Sequence, residues 1–393
     1  MSLENKWVRG AIPALLIHCS IGTVYCWSTF KDTIAEYIKA SPFSVGWAFS
    51  FAIFFLGMSA AFFGKIIERD VKKSAAVAMV CFVVGLMGTG FTIKFCSGTL
   101  AVVLLYVFYG CIMGIGLGVG YLTPVKTLML WFSDNKGLAT GISIMGFGLA
   151  KMIATPLMEF LQRNLGIWQM FLILGGIYAV TMFLGFVLIK KPSNWTEITQ
   201  QDDNFKVLDF IKQPSFIGIW LMFYLNIHCG LMLITYEKQL LLNAAVASSL
   251  ITLIPSLSAG FNALGRLGYA TASDKMVSKF SIYQIIFFSS ISVLSFATAH
   301  YPIVIPLIAS IFIINAGYGG GFSTLPNLLQ DKYGMKHISK IHGLALSAWA
   351  VAGLTGNNTT ALILKFGCND YHKVFSVAII LYFIAFITSL VSN

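Results

Sequence analysis

Apolar residues fill long runs along this chain, and short clusters of Gly, Pro, Ser, Asp and Lys separate them. Twelve runs can be delimited: 7–30, 43–64, 75–93, 99–129, 137–161, 168–189, 214–236, 244–271, 280–299, 301–328, 341–364 and 374–391. A bilayer-spanning helix needs about 20 apolar residues. Most of the runs reach that length, so they predict transmembrane helices joined by short loops. The polar stretch 190–213 interrupts them at the middle. The predicted organisation is a six-helix bundle over 1–190, a cytoplasmic linker over 191–213 and a second six-helix bundle over 214–393. A trace of duplication supports it: Ile17-His18-Cys19-Ser20 in the first run matches Ile227-His228-Cys229-Gly230 in the seventh. Parallel repeats of this kind place a substrate site near the membrane midplane, between the halves.

Composition turns that pattern into a class. Of 393 residues, 57% are hydrophobic and only 10% charged, where soluble domains carry about 25% charged residues. With a mean hydropathy of +0.81, the chain is expected to be an all-α integral membrane protein, in contact with the lipid bilayer. The net charge of +11 does not point to nucleic acid, because the cations are scattered between the runs. The seven cysteines show no paired spacing, so neither a disulfide framework nor a metal site is expected. The first run continues past a signal-peptide core without a small-residue cleavage site, so it is expected to be retained. Of the 26 Lys and Arg residues, 16 fall in segments predicted to be inside and 7 outside. The positive-inside bias places both termini in the cytoplasm, with the plasma membrane as the expected location. The remaining 3 are Lys126, Lys151 and Arg266, which lie within the runs.

Those intramembrane cations are the candidate chemistry. A cation at the bilayer centre costs roughly 2.5–3.5 kcal/mol on insertion scales, and it persists where it faces protein or water. Arg266 shares a helical face with Asn262, one turn earlier. Asp274 is read as marking the following loop, about 12 Å away at 1.5 Å per residue, which makes Arg266 deep for snorkelling to the surface. Anion binding is the preferred reading. Lys151 is either a structural lysine or a second cation for the same anion. No Asp or Glu falls in the middle third of any run, so both cations are expected to lack an internal counter-ion. His18 and His228 are either packed between helices or able to bond a substrate or pass a proton. His18, Gly22, Tyr25 and Thr29 form one stripe suited to a cavity wall. The glycines of runs four and ten, Gly110, Gly114, Gly118 and Gly317 to Gly321 among them, suit close helix approach. They do not form a nucleotide-binding fingerprint, because no strand precedes them. Two polar loops, one with Gly64, Glu68 and Arg69 and one with Asp274 and Lys275, are candidates for a latch on the cytoplasmic side. No catalytic constellation is visible, so neither an enzyme nor a cofactor is expected.

A longer set of residues carries a family resemblance: Gly22, Thr23, Tyr25, Trp27 and Ser28; Gly114, Gly116, Gly118, Tyr121, Pro124, Trp131, Gly137, Gly141 and Gly148; Arg266 with Ser273-Asp274-Lys275; and Gly319, Gly320, Gly321, Phe322, Pro326, Asp331, His342, Gly343 and Trp349. On these the chain resembles the oxalate/formate antiporter family of the major facilitator superfamily. The resemblance implies twelve transmembrane helices in two bundles and alternating access for small carboxylates of the formate, oxalate, pyruvate and lactate class. It assigns Arg266 to the carboxylate. The family's oxalate exchanger pairs that arginine with a lysine in span eleven, and Trp349 stands at that place here. The departure favours a monocarboxylate unless Lys151 supplies the second charge. Ser133 and Asn357 also depart from the family pattern. The expected site is Arg266 with Lys151, walled by Tyr25, Tyr121, Tyr318 and Trp349. Exchange and proton coupling both remain open. The expected unit is a monomer, and a carrier for another small solute or a non-transporting sensor is the alternative.

Overall fold

The computed structural model describes residues 5–193, 206–334 and 338–392, except the side chains of 64–69, 248, 249 and 252. Among them, twelve long helices follow one another: α1 Trp7–Tyr37, α2 Pro42–Arg69, α3 Val71–Phe95, α4 Gly98–Trp131, α5 Lys136–Leu165, α6 Ile167–Leu188, α7 Pro214–Ile234, α8 Ser248–Lys275, α9 Phe280–His300, α10 Val304–Tyr333, α11 Ile338–Phe366 and α12 Tyr371–Val391. Helix is the form such segments must take, because lipid offers no partner for backbone N–H and C=O groups. Ten of the helices are long and apolar enough to cross a membrane. α8 and α11 are not among them. Their polar residues are largely buried against protein, as with Asn262, Arg266, Ser273, His342 and Thr360.

The helices run further than the apolar pattern predicted, and this corrects two placements. Gly64, Glu68 and Arg69 belong to the last turns of α2, not to a loop; their side chains lie outside the described set. Only Asp70 separates α2 from α3, and its carboxylate caps α3 by accepting from Lys73 N at 2.9 Å. Asp274 and Lys275 likewise close α8 instead of following it. Helix can persist past the apolar runs because Lys, Glu and Arg are good helix formers.

Helix packing repeats with an offset of six. α1 packs on α5 and α6, α2 on α4, and α3 on α4 and α6. Correspondingly, α7 packs on α11 and α12, α8 on α10, and α9 on α10 and α12. The two six-helix sets meet along two seams, α2 with α11 and α5 with α8. Within α1 the stretch Gly22–Cys26 tightens into a 3₁₀ turn, and within α4 the stretch Tyr106–Met113 widens into π turns. The N-terminal end of α1, the C-terminal end of α4 and Lys190 meet on one face: Lys190 N donates to Arg9 O at 3.2 Å and Trp131 Nε1 to Lys190 O at 2.7 Å. This is the termini face. A short helix, Glu237–Asn243, lies after α7 at the opposite end.

Candidate functional site

Arg266 sits on the α5–α8 seam and is fully buried. Its Nε donates to Asn262 Oδ1 at 2.7 Å, and Nη1 faces Ile144 O of α5 at 3.4 Å. Phe147 of α5 and Phe322 of α10 lie against the guanidinium, with ring centroids 5.4 and 5.1 Å from Cζ. Such cation–π contacts contribute about 0.5–2 kcal/mol each. α10 comes this close because of Gly319, where a Cβ would sit 2.9 Å from Arg266 Cγ and collide with Asn262 O. No carboxylate forms an ion pair with Arg266 among the described residues.

An aromatic wall continues from those two rings. Trp349 of α11 packs on Phe322 at 4.3 Å, on Tyr121 at 5.4 Å and on Phe147 at 5.8 Å. Tyr25 of α1 packs on Phe147 at 5.4 Å, and Tyr318 of α10 on Phe322 at 5.1 Å. Tyr25 and Tyr318 share a hydroxyl hydrogen bond of 2.7 Å, which joins the two halves. Three buried donors of the wall lack an acceptor among the described residues: Arg266 Nη2, Tyr121 Oη and Trp349 Nε1. Buried polar groups are nearly always satisfied, so three such donors on one wall leave room for an acceptor there.

Lys151 departs from expectation. It is buried, and its Nζ lies 3.7 Å from Glu237 Oε2, so it does have an internal counter-ion. Glu237 is 2% exposed. Its carboxylate also accepts from Asn315 Nδ2 at 2.7 Å and from Ser258 Oγ at 3.0 Å. The reason is tertiary. The short helix after α7 turns Glu237 back over α5, α8 and α10, a fold-back invisible to a count of acids along the spans.

The two histidines tie helices together. His18 faces the Ser143 carbonyl of α5 through Nδ1 and Tyr121 O through Nε2 at 3.1 Å. His228 Nδ1 bonds Thr355 Oγ1 of α11 at 2.9 Å and Tyr224 Oη at 3.2 Å. Each links the first helix of its half to the fifth, as the matching sequence runs suggest. His18 borders the cage, 5.4 Å from Tyr121, whereas the bonds of His228 lead away from it.

A cavity of about 250 Å³ lies between the halves on the face opposite the termini. Its rim includes the exposed Arg163 and Lys238, and its floor includes Lys151 and Glu237. Below it a space of about 20 Å³ touches Tyr25, Lys151, Asn262 and Tyr318, which is room for a single water. The termini face is closed. Asp274 accepts from Gly137 N at 2.8 Å and Leu138 N at 3.0 Å, capping α5 across the seam. Thr140 Oγ1 of α5 donates to Ser323 O of α10 at 3.1 Å, again across the halves, while Asn327 Nδ2 donates to Ser273 Oγ at 3.0 Å within the second half. Lys275 is exposed beside this closure.

Glu237, Asn315 and Ser258 were not singled out from the sequence, and nothing in its periodicity marks them. Phe147 and Phe322 sit in Gly-Phe-Gly and Gly-Phe-Ser contexts, where small neighbours hint at close helix approach. No group of three or more metal-ligating side chains occurs among the described residues.

Comparison with known proteins agrees with this architecture. A model of the Major Facilitator Superfamily matches residues 14–357. The chain is 25% identical over 367 residues to the uncharacterized MFS-type transporter YhjX of Escherichia coli (strain K12), across 89% of this chain and 86% of that one. It is 24% identical over 389 residues to the oxalate:formate antiporter of Oxalobacter formigenes, across 98% and 90%. The solved structure of the proton:xylose symporter XylE bound to 6-bromo-6-deoxy-D-glucose matches with a TM-score of 0.76 at 15% identity, across 96% of this chain and 94% of that one; the likeness is one of fold.

Proposed function

Because the chain belongs to the Major Facilitator Superfamily, whose members move solutes and are not enzymes, we propose that it carries small carboxylate anions across the plasma membrane by alternating access. The observation that carries this reading is the unpaired, fully buried Arg266, whose Nη2 stands with Tyr121 Oη and Trp349 Nε1 as donors without acceptors. A carboxylate supplies two acceptor oxygens and the neutralising charge together. In this reading Arg266 binds the carboxylate, Asn262 orients it, and Tyr25, Tyr121, Tyr318 and Trp349 exclude bulkier polar ions. The relative named as an oxalate:formate antiporter supports the substrate class. With Lys151 neutralised by Glu237, Arg266 is left, among the described residues, as the uncompensated cation at the centre, which favours a monocarboxylate such as formate or pyruvate over oxalate. The Lys and Arg bias supports a cytoplasmic termini face, so the cavity opens outward.

Counterflow of labelled formate, pyruvate, lactate and oxalate into proteoliposomes tests this. Arg266→Gln is expected to lower apparent affinity by more than about 100-fold, since two charge-assisted hydrogen bonds at about 1.5–3 kcal/mol each are lost. Undiminished counterflow in that variant would remove the reading.

A further inference from the structure

Ions inside a bilayer protein are rare, and a neutral Lys–Glu pair has no use for a carrier that needs only one cation. The Lys151–Glu237 pair also spans the two halves, since Lys151 belongs to α5 and Glu237 follows α7. It sits at the floor of the outward cavity and borders the space that leads to Asn262, the partner of Arg266. At 3.7 Å the contact is loose, and the carboxylate is held more closely by Asn315 at 2.7 Å and Ser258 at 3.0 Å. Both neighbours can stay when the carboxyl gains a proton, because an amide oxygen or a hydroxyl can accept where its N–H or O–H now donates.

We propose that Glu237 is the proton-binding site of the carrier, and that its protonation frees Lys151 to attract the anion. The inference rests on the carboxylate-carrier reading above and adds its coupling ion. With Glu237 ionised the pair is neutral, and an incoming anion meets no net charge at the cavity floor. With Glu237 protonated, Lys151 carries an uncompensated charge on the path to Arg266. One proton and one monocarboxylate then enter together without net charge. No covalent bond changes: the proton binds a Glu237 carboxylate oxygen from the outward cavity and leaves the same atom when the site faces the other side, restoring the pair.

The surroundings of Glu237 favour this role. Lys151, Glu159 and Arg163 face the cavity from α5, Lys238 from its own short helix, and the preceding Tyr236 is partly buried. Tyr25 of α1 and Tyr318 of α10 border Lys151 from below. α8 offers Ser258 and, about 12 Å further along at 1.5 Å per residue, Arg266. α10 offers Asn315. Burial pushes the Glu237 carboxyl above its ordinary range, and Lys151, Asn315 and Ser258 oppose that shift. A raised carboxyl takes up its proton at a higher pH than a free glutamate does, so loading strengthens as the outer pH falls through that value.

The test uses the full chain in proteoliposomes with labelled formate and pyruvate, a trapped pH dye and an acid-outside gradient. A gradient of one pH unit is worth about 1.4 kcal/mol, the free energy of a tenfold ratio. Wild type is therefore expected to accumulate the anion about tenfold, with one proton per anion. Glu237→Gln is expected to keep anion counterflow and lose the gradient-driven accumulation, while Glu237→Asp, still titratable, is expected to keep both. Counterflow in wild type together with net anion uptake that moves no proton overturns the inference and leaves the carboxylate reading standing, and that measurement needs no variant. Gradient-driven accumulation in Glu237→Gln equal to wild type overturns it as well. No counterflow of either probe in wild type overturns both readings.

Discussion

A guanidinium carries five N–H donors and no acceptor, and burying it is tolerable only when those donors and the charge are provided for. Arg266 is half provided for. Asn262 and the Ile144 carbonyl take two directions, two aromatic faces offer diffuse negative potential, and Nη2 is left over. This suggests a sharp test at Asn262. Asn262→Asp is nearly isosteric and would place a carboxylate 2.7 Å from Nε, giving Arg266 an internal counter-ion. Carboxylate counterflow is expected to fall about as far as in Arg266→Gln, although packing is unchanged. Counterflow at the wild-type rate in purified Asn262→Asp would mean that the anion does not read the charge of Arg266. The special status of Arg266 was legible in the sequence, because one cation among apolar neighbours stands out in any window. Its cage was not. Phe147 and Phe322 lie 175 positions apart, and only tertiary packing puts both on one guanidinium. Lys151 shows the same limit more sharply, since its partner lies 86 positions away.

At the scale of elements, run lengths predicted the number and order of helices, while helix ends escaped because apolarity stops before helicity does. α2 continues through Gly64, Glu68 and Arg69 to meet Asp70, and α8 continues through Asp274 and Lys275. The extension of α8 has a consequence. It carries the Asp274 carboxylate across the seam to the second and third amides of α5, where a helix N-terminus favours negative charge. Capping interactions of this kind stabilise by about 0.5–2 kcal/mol. Asp274→Ala is therefore expected to speed amide hydrogen exchange in the first turn of α5, at Gly137 and Leu138, by up to about thirtyfold. Hydrogen-exchange mass spectrometry of the peptide that begins α5 measures this directly. Exchange there that matches wild type would show that α5 and α8 stay closed without the carboxylate. Lys275, exposed beside it, is expected to have no comparable effect when truncated.

For the whole molecule, the offset-by-six packing pattern and the two seams define what can move. Each half is tied internally by its first helix, through His18 to α5 and through His228 to α11. Between the halves, the ties among the described residues sit at different depths. Asp274 and Thr140 close the termini face, the Tyr25–Tyr318 hydroxyl pair lies in the middle, and the Lys151–Glu237 pair lies at the cavity floor. Motion by rocking about the seams would keep the internal histidine ties and exchange the inter-half ones. An anion drawn to Arg266 should then pull the cavity walls together, because its charge is best shielded from water once they meet. Thr33 of α1 and Ser256 of α8 line that cavity from different halves. Spin labels at these two positions, with the exposed Cys368 replaced by serine, are expected to move closer when saturating formate or pyruvate is added, as measured by pulsed electron–electron resonance. The shortening should vanish in Arg266→Gln and persist in Glu237→Gln, which keeps the anion site and resembles the protonated carrier. A distance distribution unmoved by every carboxylate, in protein that shows counterflow, would place the moving elements elsewhere and rule out rocking about α2–α11 and α5–α8.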